Sequence, residues 1–259
     1  MLMFDNEATV IEMLKDVPKR NIALFGSVVY CAKLYLRLTC SFKKHWIDSS
    51  GKSDPPPDFY DPKHKLMMEV MRIDDHAFTD KKGHVHNEAL RHEGELYRRF
   101  FKDIDREDLR IFIIPDTQLS SKDDHNFARY IANFERVFKK HEDKIDLYKT
   151  NHPGFKTIFF IFDESSAYRQ APNKKVLKNA KEGQVGIGMP HLFCYDKRFV
   201  DIIKESKVDY VVWFAPWKLD RSVVGNVPLP KCAIYEVKRI KESKLLNYNH
   251  ECMISTEVW

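Results

Sequence analysis

The chain is expected to fold as a single α/β domain, a central mixed sheet flanked by helices. Three observations predict this. Ile158-Phe159-Phe160-Ile161-Phe162 is continuously apolar, the pattern of a strand covered on both faces rather than one. Such stretches alternate in the second half with segments whose apolar residues recur at helical spacing, and that alternation builds sheets with helices packed on their faces. A length of 259 residues with 43% hydrophobic content suffices to bury a large core, and no linker, internal repeat or low-complexity tract divides it.

Taken in order, Ala8, Val10, Ile11, Leu14 and Val17 lie near helical spacing and Pro18 stops the run, so a helix is expected over 6–16. After Gly26-Ser27, apolar Val28, Val29, Ala32, Leu36 and Cys40 are interleaved with Lys33, Arg37, Lys43 and Lys44. This predicts a second helix over 28–44 with a basic outer face. Pro55, Pro56 and Pro57 bar any helix and lead through a loop into two strands, Phe59-Tyr60 and 65–73, turned at Asp61-Pro62-Lys63. A Glu-, Leu- and Arg-rich segment over 87–101 reads as a helix. The remainder reads as strand 109–114, helix 126–141, strand 156–162, helix 196–206, strand 209–214 and strand 233–238, with the lysine-rich loop 164–189 as the largest insertion.

The balance of 43 Lys+Arg against 38 Asp+Glu, a net +5, permits a phosphate-bearing partner without the strong positive charge of a nucleic-acid coat. Five widely spaced cysteines with no C-x-x-C pair argue against a disulfide framework and against cysteine-bound zinc, and fit a reducing compartment. Asp5 and Glu7 do not suit a secretory leader. The most apolar run, 22–32, falls short of the roughly 20 residues that span a bilayer. A cytoplasmic protein with no membrane partner is expected.

Chemistry concentrates at Asp58 and Glu69. The first follows the proline stop; the second stands inside Leu66-Met67-Met68-Glu69-Val70-Met71-Arg72-Ile73, an apolar strand where an unpartnered charge is costly. A turn at Pro62 brings the two strands together, so both acids can meet one hard cation of the kind that activates water for phosphodiester cleavage. This pattern resembles the PD-(D/E)xK nuclease superfamily, the restriction-endonuclease-like fold, in which Pro-Asp precedes by about one hairpin a strand bearing (Asp/Glu)-x-Lys. Pro57-Asp58 matches the first half and Glu69-Val70-Met71 the second, with Met71 where the lysine belongs.

The resemblance implies an αβββαβ core over about residues 1–115 and an α/β extension over 116–259. It also implies Asp58 and Glu69 as catalytic ligands of Mg²⁺ or Mn²⁺, and DNA or RNA as substrate. Strand parity turns Arg72 away from Glu69, so a basic group from the next helix, such as Arg91, is the expected substitute for the lysine. Met71 suits equally a non-catalytic nucleic-acid or protein interaction module on the same scaffold.

Other constellations are less specific. Lys43-Lys44-His45-Trp46 and Arg98-Arg99-Phe100-Phe101 set cations beside aromatics, so Lys43, Lys44, Arg91 and Arg98 are candidate nucleic-acid contacts, although solvated helix faces read the same way. His76, His84, His86 and His92 gather with Asp74, Asp75, Glu88 and Glu93. His84 and His86 share a strand face and, with Asp75, form the candidate metal set of an alternative metal hydrolase. Acids recur just past strand ends at Asp74-Asp75, Asp116 and Asp163-Glu164, where an open parallel sheet lines its ligand crevice and where helix caps also occur. Gly183-x-x-Gly186-x-Gly188 lacks the Lys-Ser/Thr of a P-loop and reads as a loop.

Overall fold

A mixed sheet of seven strands organises the protein, seen in a computed structural model that describes residues 7–50, 57–100, 125–179, 188–219 and 229–256. In chain order the strands are β1 (Ile22–Phe25), β2 (Ile47–Asp48), β3 (Phe59–Asp61), β4 (Leu66–Ile73), β5 (Phe78–Thr79), β6 (Val85–His86), β7 (Lys156–Asp163), β8 (Tyr168–Gln170), β9 (Met189–Pro190), β10 (Tyr210–Phe214), β11 (Cys232–Glu236) and β12 (Met253–Ser255). The helices are α1 (Glu7–Met13), α2 (Val28–Cys40), α3 (Phe42–His45), α4 (Glu88–Phe100), α5 (Phe127–Glu142), α6 (Ile145–Asn151), α7 (Lys174–Asn179) and α8 (Lys197–Glu205). The sheet order is β1-β11-β10-β7-β4-β3-β2; β8, β9 and β12 form a small second sheet and β5-β6 a hairpin.

Strands β4, β7 and β10 run parallel, in a register that aligns Val70, Phe160 and Val212. Antiparallel neighbours flank them: β3 beside β4, and β11 beside β10. The parallel pairing explains the continuous apolar text. Met71, Ile73, Phe159, Ile161, Val211 and Trp213 face one layer with α5 and α8, whereas Met68, Val70, Ile158, Phe160, Phe162 and Val212 face the other with α1 and α2. Each wholly buried phenylalanine of β7 contributes about 2–3 kcal/mol relative to an exposed one. Helix α5 lies between β4 and β7 in sequence and buries Phe127, Tyr130, Ile131, Phe134, Val137 and Phe138, a stripe at helical spacing. Its start is capped by Asn126, whose side chain accepts the Arg129 N–H at 3.1 Å.

Several boundaries differ from the sequence reading. The segment 28–44 is two helices, because the chain breaks at Ser41. The apolar residues before it form β1, which pairs in parallel with β11; four residues are too few for periodicity to separate strand from helix. Gly26, at φ +110°, follows β1 so closely beside Glu236 that a Cβ there would lie 2.8 Å from the Glu236 Cβ. The expected strand 233–238 ends at Glu236 and tightens into a 3₁₀ turn. The insertion 164–189 contains β8, α7 and the start of β9. The expected strand 109–114, Asp116, Gly183 and Gly186 lie outside the described residues. Among the described residues no helix is long and apolar enough to cross a membrane.

Candidate functional site

The antiparallel register of β3 and β4 pairs Phe59 with Met68. Carried one residue further, that register sets Asp58 opposite Glu69, so the two acids are cross-strand neighbours. Asp58 is held from both sides. Its Oδ2 accepts the Val70 N–H at 2.7 Å, and its backbone carbonyl accepts the Ser49 N–H at 2.8 Å, fastening the segment after the prolines to the end of β2. Glu69 is 5% exposed. His141, in the last turn of α5, lies with Nδ1 at 2.7 Å from Glu69 Oε1. Glu69 Oε2 is buried with no hydrogen-bond partner among the described residues.

A third carboxylate joins them. Glu7, the first residue of α1, also has a buried Oε2 with no hydrogen-bond partner among the described residues. Burial first, then the charges of Asp58, Glu69 and Asp48, push the Glu7 carboxyl up to about 8. Asp58 is raised as well, by burial and then by Glu69; the Val70 N–H and the Lys144 ammonium pull the other way. The Tyr148 phenol of α6 is raised, first by burial and then by Glu69. The cluster therefore holds three acids, with His141, Lys144 and Tyr148 around them.

The basic group near the acids is thus Lys144, immediately before α6, and not Arg91. Arg91 is exposed on α4 and forks between Glu88 and Glu95, 2.7 Å from each. Arg72 pairs with Glu164 and, at 3.0 Å, with Glu93. Lys43 pairs with Glu12 of α1 at 2.8 Å. Lys44 and, on α4, Arg98 are exposed. Glu7, His141 and Lys144 were invisible to sequence reasoning: a glutamate opening a helix and a histidine ending one read as helix-dipole residues, and Lys144, between two helices, reads as an ordinary solvated lysine.

A second polar network gathers beyond the ends of β4 and β7, where acids of a parallel sheet are expected to converge. Asp163 is wholly buried and accepts from Tyr130 Oη at 2.6 Å, Trp213 Nε1 at 2.8 Å and Ser165 Oγ at 2.6 Å, with Lys218 Nζ 3.1 Å away. Asp75, equally buried, accepts from Tyr168 Oη at 2.6 Å and Ser166 Oγ at 2.8 Å. The candidate set of His84, His86 and Asp75 does not assemble. His84 and His86 lie on the exposed β5-β6 hairpin, 3.4 and 2.9 Å from Asp80, whereas the histidines beside Asp75 are His76 and His125. Both hairpin histidines do approach one carboxylate, as strand alternation implies, but it is that of Asp80 and not of Asp75.

Compared with family models, curated proteins and solved structures, the chain matches none.

Proposed function

We propose that the protein is a metal-dependent nuclease of restriction-endonuclease-like architecture, acting on DNA or RNA phosphodiesters. The observation that carries this reading is a pair of buried carboxylate oxygens, Glu7 Oε2 and Glu69 Oε2, that have no hydrogen-bond partner among the described residues and lie near Asp58 at the β3-β4 edge. A buried carboxylate without a partner costs several kcal/mol, and here like charges add to that cost. A divalent cation removes both penalties. The donors are all carboxylate oxygens, which suits a hard ion such as Mg²⁺ or Mn²⁺, and Glu7, Asp58 and Glu69 are the residues that would hold it, drawing closer than they stand here, since their ligand atoms do not all lie within 4.8 Å of one another. Such an ion, when bound, polarises a phosphate and lowers the pKa of an attacking water.

The chain's own residues supply the rest. The Val70 N–H and His141 fix the orientations of Asp58 and Glu69, as partners of ligating carboxylates do. Lys144, close enough to Asp58 to lower its pKa, brings the positive charge that Met71 cannot and offsets charge developing on the phosphate oxygens. Lys43 pairs with Glu12 of α1, whose first residue is Glu7, and with the exposed Lys44 next to it in the chain suits the flanking phosphates. With α3, the β5-β6 hairpin and α4 set aside, α2, β2, β3, β4, α5 and β7 follow the αβββαβ order, which supports the same reading and would carry the core to Asp163.

Met71, buried in the apolar layer, favours the second reading, a non-catalytic nucleic-acid binding module. One experiment separates them. The purified protein and a Glu7→Ala/Asp58→Ala/Glu69→Ala variant are incubated with single- and double-stranded DNA and RNA, with Mn²⁺ or with EDTA. Cleavage by the parent in Mn²⁺ alone is expected. Salt-sensitive binding without cleavage marks the module, and neither binding nor cleavage overturns both.

A further inference from the structure

A second group of metal-ligating atoms lies apart from the Glu7, Asp58 and Glu69 cluster, beyond the end of β4. Asp75, His76 and His125 present a carboxylate oxygen and two imidazole nitrogens that all lie within 4.8 Å of one another. His125 Nδ1 is 3.3 Å from both carboxylate oxygens, and His76 Nε2 is 3.6 Å from Oδ1. A direct charge-assisted hydrogen bond is shorter, about 2.7–2.9 Å. Zinc bound tetrahedrally at about 2.0–2.1 Å sets its ligand atoms about 3.4 Å apart. The observed spacings match the edges of that tetrahedron better than they match hydrogen bonds. We propose that Asp75, His76 and His125 bind a zinc ion.

The surroundings are built for a ligating carboxylate. Asp75 is wholly buried, and its Oδ2 is oriented by the Tyr168 hydroxyl at 2.6 Å, the Ser166 hydroxyl at 2.8 Å and the Ser166 N–H at 3.0 Å. Those contacts leave Oδ1 turned toward the histidines, and outer-shell hydrogen bonds of this kind fix the geometry of zinc ligands. Two histidines and one carboxylate are a recognised three-residue ligand set for zinc, with a fourth position for water. Mg²⁺ prefers oxygen donors, so the nitrogen content separates this site chemically from the all-carboxylate cluster.

The placement also gives the ion a structural task. Asp75 and His76 follow β4, His125 directly precedes the cap of α5, and Ser166 and Tyr168, which hold Asp75, follow β7. One ion here fastens the start of α5 to the ends of two central strands. The proposal stands independently of the nuclease reading, because it uses none of the same residues.

The test starts from tag-free protein purified without chelator. About one equivalent of zinc is expected by elemental analysis, and after its removal Co²⁺ is expected to give the visible bands of a tetrahedral site without thiolate charge-transfer absorption. Removing zinc is expected to lower the thermal midpoint, with Zn²⁺ and not Mg²⁺ restoring it. This readout uses the unmodified protein and does not depend on a variant that folds. His76→Asn/His125→Asn is expected to abolish the Co²⁺ spectrum, while Glu7→Gln/Glu69→Gln leaves it intact. No tetrahedral Co²⁺ spectrum from the parent, a thiolate-type spectrum, or undiminished zinc in the folded double-histidine variant would overturn the assignment.

Discussion

Replacing Glu7 by glutamine is expected to stabilise the metal-free protein at pH 8. The Glu7 carboxyl is raised from 4.5 to about 8, by burial and then by Asp58, Glu69 and Asp48. Between those values the folded chain keeps a proton that the unfolded chain releases. The stability that Glu7 contributes is therefore fully present below about pH 4.5 and is lost as pH climbs toward 8. A full unit is worth about 1.4 kcal/mol for a fully buried group. Glu7 is only partly buried, and solvent screening reduces the whole effect to about 1–2 kcal/mol. The amide has the shape of the protonated acid and no charge at any pH, so it restores that amount at pH 8 and little at pH 4.5. An ionised glutamate at the start of α1 interacts favourably with the helix dipole by about 0.3–1 kcal/mol, which is not enough to reverse the sign. For a chain of this size the gain corresponds to about 2–6 °C in the thermal midpoint. Circular dichroism melts of parent and Glu7→Gln in EDTA at pH 5 and pH 8 measure it, and excess Mn²⁺ should then favour the parent. A variant no more stable than the parent at pH 8, or one equally stabilised at both pH values, refutes the reasoning.

Two further outcomes follow from the same geometry. Under the nuclease reading, Lys144→Met is expected to slow single-turnover cleavage by about 10²–10³-fold, the scale of removing one charge-stabilising donor, while Mn²⁺ affinity measured by titration does not fall; unchanged cleavage would remove Lys144 from the mechanism. Lys218→Met strips the cation from Asp163, 3.1 Å away and wholly buried. Urea denaturation is expected to show a loss of about 3–5 kcal/mol, and a loss below about 1 kcal/mol would mean that Tyr130, Trp213 and Ser165 alone satisfy the carboxylate.

The sequence carried the sheet better than the site. Strands β4, β7 and β10 were legible because burial on both faces leaves long apolar runs, and α5 because Phe127, Tyr130, Ile131, Phe134 and Phe138 keep helical spacing. β1 was not legible, because its identity comes from pairing with β11, about 200 residues later in the chain. Glu69 stood out because a carboxylate inside an apolar strand is anomalous wherever it occurs, and Asp58 because it follows a proline stop one hairpin earlier. Glu7, His141 and Lys144 are ordinary residues at helix ends, and only the packing of α1, α5 and α6 brings them to the β3-β4 edge. The grouping of His76 and Asp75 was visible in the text, but His125, some 50 residues on, was not.

The way this protein treats its other buried acids bears on the nuclease reading. Asp163 receives two aromatic donors, a serine hydroxyl and a lysine, and Asp75 receives two hydroxyls and a backbone N–H. The fold is thus able to surround a buried carboxylate with donors, as buried polar groups generally require. Glu7 and Glu69 each keep one buried oxygen without a hydrogen-bond partner among the described residues, although each is packed near another acid and the Tyr148 phenol stands beside Glu69. Replacing either by glutamine or leucine relieves that strain by a single substitution, so their joint presence is not explained by stability alone. Under the nuclease reading a shared cation would account for both oxygens at once and for the raised Glu7 and Asp58, and it requires these carboxylates to close in on one another, because among the described residues the metal-ligating atoms that lie mutually within 4.8 Å are those of Asp75, His76 and His125.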